Sequence, residues 1–420
     1  MSKHGFGHAP SGRPQLSRRH VLGGGLAAAA ALFRYPEAVS AAAPGTKPPA
    51  GFREGGLDAV DAVVLGAVAA RAFPGGVLAI GRSGGLAHLR AFGRLSYDAD
   101  AQPVRTDTIY DLASLTKVIV TTTLAMQLVD EGKLDLEAKV SGFLPAFTGG
   151  GKERVTLRQL LTHSGGLLWW APLYEDTKGQ AAYVEKIVAM DLAYEPGTKA
   201  VYSDLGLILL GYVVERLAGG GALDALARER VTGPLGMTDT LYEPPAGLVE
   251  RIAPTENDPW RGRVLRGEVH DENAAALGGV APHAGLFATA PDLSRFAEML
   301  LDEGRAPARR LVSRATVELF TERAGVPLAS RALGWDTPAN ETGQRSSTPG
   351  APGATSAGTL LSARSFGHTG FTGTSMWMDP QRELYVILLT NRVHPTRENN
   401  LIRGVRSAVA DAAVRALETA

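Results

Sequence analysis

The chain of 420 residues contains no cysteine. That excludes disulfides, thiolate catalysis, cysteine-ligated metals and a lipid anchor on a cysteine. An excess of either charge is also missing: 43 Lys and Arg balance 43 Asp and Glu. Sequence-independent attraction to nucleic acid or anionic membrane is not expected of such a chain. Long apolar runs are absent too. The best candidate, the Gly/Ala-rich stretch through Leu32 and Phe33, is weakly hydrophobic and shorter than the ~20 residues a spanning helix needs. Internal repeats are not found, and no lysine follows Lys199. What remains is a chain with 45% apolar and 20% charged residues, able to bury a large core in one large domain or two modest ones.

The N-terminus reads as an address. Ser17-Arg18-Arg19-His20-Val21-Leu22, the apolar run and then Ala38-Val39-Ser40-Ala41-Ala42-Ala43 resemble a twin-arginine export signal. The expectation is a signal over residues 1–43, a Pro/Gly-rich linker over 44–54 and a folded domain over 55–420. The mature chain would then be periplasmic or extracellular, with no stable membrane span.

Along the domain, apolar spacing predicts a helix from Leu57 to Phe73. Strands are expected at Val77–Gly81 and Ala87–Gly93, joined as a hairpin. From 118 to about 335 the pattern is mostly helical, with helices at Leu157–Leu161, Val184–Met190 and Leu205–Leu217. Thr289-Ala290-Pro291-Asp292 reads as a capping box opening a helix to Leu301. Residues 337–358 lack periodicity and are expected to form a mobile loop. Strand patterns return at Ser365–His368, Ser375–Met378 and Glu383–Thr390, before a last helix from about Arg397. The expected fold is α+β: an antiparallel sheet built from both chain ends and flanked by terminal helices, with a mostly helical region inserted between. The active centre would lie in the crevice between sheet and insertion.

Chemistry concentrates first at Ser114-Leu115-Thr116-Lys117. Serine and lysine three apart share one helix face, and a desolvated lysine can take a serine's proton. A helix start also aims N–H groups at a developing negative charge. Alone, the pair is explained equally well by an N-capping serine followed by a surface lysine. Two further stretches carry compatible chemistry. Tyr202-Ser203-Asp204 puts a phenol and a carboxylate at the start of an apolar helix. His368-Thr369-Gly370 ends a strand, with a glycine that lets a substrate or another backbone approach closely.

Ser114-x-x-Lys117, Tyr202-x-Asp204 and His368-Thr369-Gly370, in that order, resemble the three motifs of the serine β-lactamase and penicillin-binding-protein superfamily. The likeness is to its class C-like branch, which includes DD-peptidases, D-aminopeptidases and esterases. Leu160–Leu167, Pro234–Met237 and Gly285–Leu293 look similar as well. The resemblance implies a β-lactamase/transpeptidase fold and an acyl-enzyme on Ser114. Lys117 would help remove the serine proton. Tyr202, in one form as a phenolate, would pass a proton to the leaving group. The backbone N–H groups of Ser114 and Phe371 would form the oxyanion hole. Asp204, His368, Thr369 and Gly370 would contact the substrate, and no metal or other cofactor is implied.

Two departures bear on that likeness. Asparagine usually stands where this chain has Asp204. A carboxylate only accepts hydrogen bonds; Asp204 would cap the following helix or pair with Lys117 and raise its pKa. Lysine usually stands where this chain has His368, so a positive field for a substrate carboxylate would come and go between about pH 5 and 8. The expected activity is that of an esterase or D-alanyl carboxypeptidase. The alternatives are a true class C-like β-lactamase and a penicillin-binding sensor with little turnover. The partners implied are small esters, D-Ala peptides or β-lactams. Among other candidates, Glu268–Asn273 reads as a crevice loop or plain surface, and His283 as structural. His163 is expected to cap a helix carbonyl. Trp169 and Trp170 would pack or shape the substrate cleft.

Overall fold

The structure, a computed structural model, describes residues 51–327, 329–339 and 356–418. The export signal, most of the linker and most of the expected 337–358 loop lie outside the described residues. Five strands form one antiparallel sheet in the spatial order Gly85–Gly93, Gly75–Arg82, Leu384–Thr390, Ser375–Asp379 and Phe366–Thr369. Both ends of the chain therefore supply the sheet. The central strand, Leu-Tyr-Val-Ile-Leu-Leu-Thr, is buried along its whole length, because both of its faces are covered.

Side-chain alternation assigns the two faces. Leu78, Ile80, Val386 and Leu388 pack with Val60 and Val64 of the first helix (Gly56–Ala69) and Val409 and Ala413 of the last (Ile402–Ala416). Val77, Ala79, Ile387 and Leu389 face the other way. They join Leu293 and Phe296 of the Ala290–Leu301 helix and the core of the inserted region.

Several boundaries differ from the pattern reading. The first helix ends at Ala69 rather than Phe73. Part of the stretch expected to be linker packs against the domain: Phe52 is fully buried, bridges to Leu417, and the Arg53 N–H donates to Ala416 O at 2.8 Å. Thr289 accepts from the Asp292 N–H, but the reciprocal half of a capping box is absent. The Asp292 carboxylate instead accepts from Asp239 N at 2.8 Å and Thr240 Oγ1 at 2.9 Å. Within the insertion, Tyr110–Asp111, Leu286–Ala288 and Leu241–Tyr242 form a small sheet. This sheet delivers the chain to Ser114.

Candidate active site

Tyr110–Asp111 pairs with Leu286–Ala288, and Leu112 N donates to Leu286 O at 2.9 Å. Ala113 then adopts φ +46°, a left-handed conformation that costs energy for any residue with a Cβ. Asp111 holds it there, its Oδ1 accepting from Ala113 N at 2.8 Å. Such a kink turns the chain sharply just before Ser114. The next turn closes through i to i−3 bonds from Leu115, Thr116 and Lys117. The chain continues as a π-helical segment, Lys117–Thr122, and then an α-helix, Thr123–Asp130. The widened turn occurs where Lys117 and Thr121 both reach across to the 282–283 backbone, their side chains donating to His283 O at 2.8 Å and Pro282 O at 2.6 Å. Wide turns of this kind are often found at functional sites.

Lys117 is almost fully buried, and its ammonium has three partners. It donates to Ser114 Oγ at 2.9 Å and to His283 O, and it forms an ion pair with Asp204 Oδ1 at 2.7 Å. Burial works against the charge. The Asp204 carboxylate, with a smaller contribution from Tyr202, outweighs it and holds the lysine above its ordinary value. Asp204 is therefore Lys117's counter-ion. It is not the helix cap; that role falls to Ser203, whose side chain accepts from Gly206 N at 3.1 Å.

Tyr202 lies over the same ammonium, with Lys117 Nζ 5.0 Å from its ring centroid. Burial raises the phenol above its ordinary pKa, while the Lys117 charge pulls it down. The hydroxyl is near enough to Lys117 and Ser114 to sense both, yet meets full hydrogen-bond geometry with neither. Burial thus favours the neutral phenol over the phenolate form expected above.

Two histidines flank the Tyr202 ring, His163 at 4.6 Å and His368 at 5.9 Å between centroids. His163 does not cap a carbonyl with its ring: Nδ1 accepts the Ser203 N–H at 3.0 Å and so fixes the turn that carries Tyr202. Burial first, then the Arg331 and Lys117 charges, keeps it well below the ordinary histidine range. His368 is likewise buried and is pushed down to about 4, with burial the main cause. Its Nδ1 lies 2.9 Å from Thr369 O. A neutral His368 does not supply the pH-switched positive field expected from its sequence position. A second cation in that neighbourhood, besides Lys117, is Arg331, fully buried, paired with Asp336 at 2.7 Å and 5.2 Å from the Tyr202 ring. Sequence reasoning missed this pair, because an Arg and an Asp around Gly334-Trp335 carry no motif.

Segment 369–374 is clamped onto the chain just before Ser114. Thr372 Oγ1 donates to Asp111 O at 2.7 Å, and Thr374 Oγ1 donates to Leu112 O at 3.0 Å. Gly370 is required by that approach, since a Cβ there would fall 2.1 Å from Thr374 Oγ1 and 2.3 Å from Leu112 O. Here glycine admits the backbone of another segment. Phe371 is half exposed and stacks on His270, with the Arg392 guanidinium 4.3 Å from its ring centroid. The 268–273 segment is no plain surface. His270 is buried against Glu256 at 2.8 Å, and Glu256 also accepts from Arg397, which helps bring its pKa down to about 2 despite burial. Asp271 caps a short helix and pairs with His283 at 3.0 Å. Among the described residues, no three His, Asp or Glu side chains are grouped to hold a metal ion.

The site thus brings together Ser114, Lys117, Tyr202 and Asp204, with His368 against the Tyr202 ring and Thr369, Gly370 and Phe371 on the adjoining loop. A profile of the Beta-lactamase family matches residues 60–410. A "Putative D-alanyl-D-alanine carboxypeptidase" of Escherichia coli O157:H7 is 36% identical over 380 residues, 82% of this chain and 84% of that protein. An N-acetylmuramyl-L-alanine amidase of Bacillus subtilis (strain 168) is 32% identical over 386 residues, 83% of this chain and 85% of that one. Among solved structures, a class C beta lactamase from Rhodobacter sphaeroides superposes with TM-score 0.65 at 21% identity, covering 85% of this chain and 99% of that one.

Proposed function

The chain belongs to the Beta-lactamase family, and from that premise we propose that it cleaves an amide bond of cell-wall peptides through an acyl-enzyme on Ser114. Membership makes it a serine hydrolase with the β-lactamase/transpeptidase fold. The observation that carries the residue roles is the contact of Lys117 Nζ with both Ser114 Oγ and Asp204 Oδ1. At rest the lysine is charged, so it must first pass a proton to Asp204. In a dry pocket the neutral amine and acid are brought closer in energy to the ion pair. The freed amine takes the Ser114 proton as Oγ bonds to the substrate carbonyl carbon. N–H groups of Ser114 and Phe371 receive the oxyanion.

Collapse breaks the C–N bond, and Tyr202 gives its proton to the departing amine. Lys117 restores Tyr202, and Asp204 restores Lys117, so the serine's proton leaves with the product. Water then repeats the sequence on the ester, releasing the acid and free Ser114. Buried His163 and neutral His368 hold the Tyr202 ring; neither needs to titrate. Export by the Ser17–Leu22 twin-arginine signal completes this reading, since the substrates lie outside the cytoplasm.

A panel of D-Ala-D-Ala peptides, muramyl peptides, p-nitrophenyl esters and nitrocefin tests it. The expectation is that a peptide amide gives the highest kcat/KM and that Ser114→Ala abolishes every activity. Nitrocefin turnover equal to the best peptide would favour a true β-lactamase instead.

A further inference from the structure

Among the described residues, nine large apolar side chains are exposed, and three of them, Trp169, Trp260 and Phe371, are aromatic and 44–50% exposed. These three connect to the active centre through their neighbours. Trp169 and Trp170 stack with centroids 5.7 Å apart; Trp170 and Tyr174 are 6.3 Å apart; Tyr174 meets Trp260 edge-on at 4.8 Å. The near end of this wall is tied to catalytic chain. Trp169 O accepts from Asp204 N at 3.0 Å, and Leu168 O accepts from Ser203 Oγ at 2.6 Å. Its middle is fixed by Asn273, which accepts from Tyr174 N and donates to Ala171 O, both at 3.0 Å. At the far end Arg261 lies over the Trp260 ring at 5.1 Å. Glu272 and Arg397, paired at 2.8 Å, lead from the wall back to Phe371.

We propose that the wall formed by Trp169, Trp170, Tyr174 and Trp260 is a subsite for a pyranose ring of the substrate, next to the bond that is cut. The inference rests on the reading that the substrate is a cell-wall muropeptide and names which part of it is held. A pyranose offers one face of polarised C–H bonds, which suits the electron-rich face of an indole. Its rim of hydroxyls needs donors and acceptors at the edge of the platform. The successive rings here are tilted by 29°, 48° and 63°, so they offer separate faces rather than the continuous groove an acyl chain would fill. Charged groups stand beside them: Glu272, Glu175, Arg397 and Asp258 all act on the Tyr174 phenol.

Position narrows the ligand further. The Trp169 backbone carbonyl is one hydrogen bond from the N–H of Asp204, whose carboxylate is paired with Lys117 beside Ser114. The proposal therefore seats the sugar at the Trp169 end of the wall, close to the scissile carbonyl. In a muropeptide the terminal D-alanyl bond is several residues from the sugar, on the order of 15 Å at ~3.5 Å per extended residue. The bond between the muramyl lactyl group and the first alanine is adjacent to it.

The test compares N-acetylmuramyl-dipeptide with the same dipeptide carrying a lactyl group but no sugar. In the wild type the sugar-bearing amide should be preferred. In Trp169→Ala and Trp260→Ala the ratio of the two kcat/KM values should fall by about tenfold, mainly through KM. An unchanged ratio overturns the subsite. Because an altered wall could disturb folding, Ser114→Ala with an intact wall is titrated with the N-acetylglucosaminyl–N-acetylmuramic acid disaccharide. A saturable change in tryptophan fluorescence supports the proposal, and a flat titration into the millimolar range overturns it. Equal hydrolysis of both amides removes the subsite alone. Disaccharide binding without hydrolysis of any peptide removes the peptidase reading alone.

Discussion

Lys117 and Asp204 form a buried ion pair at the centre of the site, and its energetics have opposite signs with and without the carboxylate. In the wild type the lysine is held above its ordinary 10.5. The pair's stabilisation is therefore complete below that pH and is lost only as pH rises through the folded value. Asp204→Asn removes the largest contribution that opposes burial, which is expected to depress the lysine below its unfolded pKa. The unfolded chain then binds the extra proton, so stability rises with pH. At pH 7 the variant should lose about 3 kcal/mol, the scale of a buried charge deprived of its partner. Thermal melts should show its Tm climbing toward the wild type between about pH 7 and 9.5, relative to a flat wild-type trend. Parallel trends would contradict the assignment of Asp204 as counter-ion. At this scale Ser114, Lys117, Tyr202 and Asp204 could be singled out from sequence because their residue types carry chemistry at recognisable spacings. Arg331, Asp336 and the stacking of His163 could not. Their roles come from packing between segments far apart in the chain. The charge state of His368 was equally invisible, since burial, not residue type, sets it.

Two elements position the nucleophile: the kink at Ala113 and the clamp of segment 369–374 on Asp111 and Leu112. Gly370 makes the clamp possible. A methyl at that position overlaps Thr374 Oγ1 and Leu112 O, so it must push the loop away from Ser114 or strain both. Gly370→Ala is expected to lower kcat for an activated ester by about 10²–10³, the scale of one lost oxyanion donor. The stability loss should be about 1–3 kcal/mol. Steady-state kinetics and thermal melts measure both, and an unchanged kcat would show that the loop does not serve the reaction. Long periodic elements such as Leu205–Leu217 and the C-terminal strands could be read from apolar spacing. The small sheet that delivers Ser114 could not, because its strands are two or three residues long and leave no period. Asp292 misled for another reason: a capping-box pattern does not reveal that its carboxylate is needed at Asp239 and Thr240.

At the scale of the whole molecule, the sheet that carries the third motif is completed only when the chain's two ends meet. The last helix, Ile402–Ala416, covers Leu388 and Val386, strand residues whose neighbours hold the His368 strand in place. Deleting residues 402–418 should expose that face and abolish cooperative unfolding together with esterase activity; circular dichroism and a p-nitrophenyl ester assay would show it. Full activity in the truncated chain would mean that the site does not depend on closure of the sheet. The convergence of both ends on one sheet was foreseeable from strand patterns at each terminus. The packing of Phe52 was not, because one buried aromatic in a Pro/Gly-rich stretch has no periodic company.

The central claim is that Ser114 carries the acyl group, and intact-protein mass spectrometry tests it most directly. Protein quenched in acid during turnover of a slow substrate or a fluorescent penicillin should gain one acyl mass, mapped to the peptide containing Ser114 and absent from Ser114→Ala. An adduct that persists in the Ser114→Ala protein, or maps elsewhere, would contradict the account.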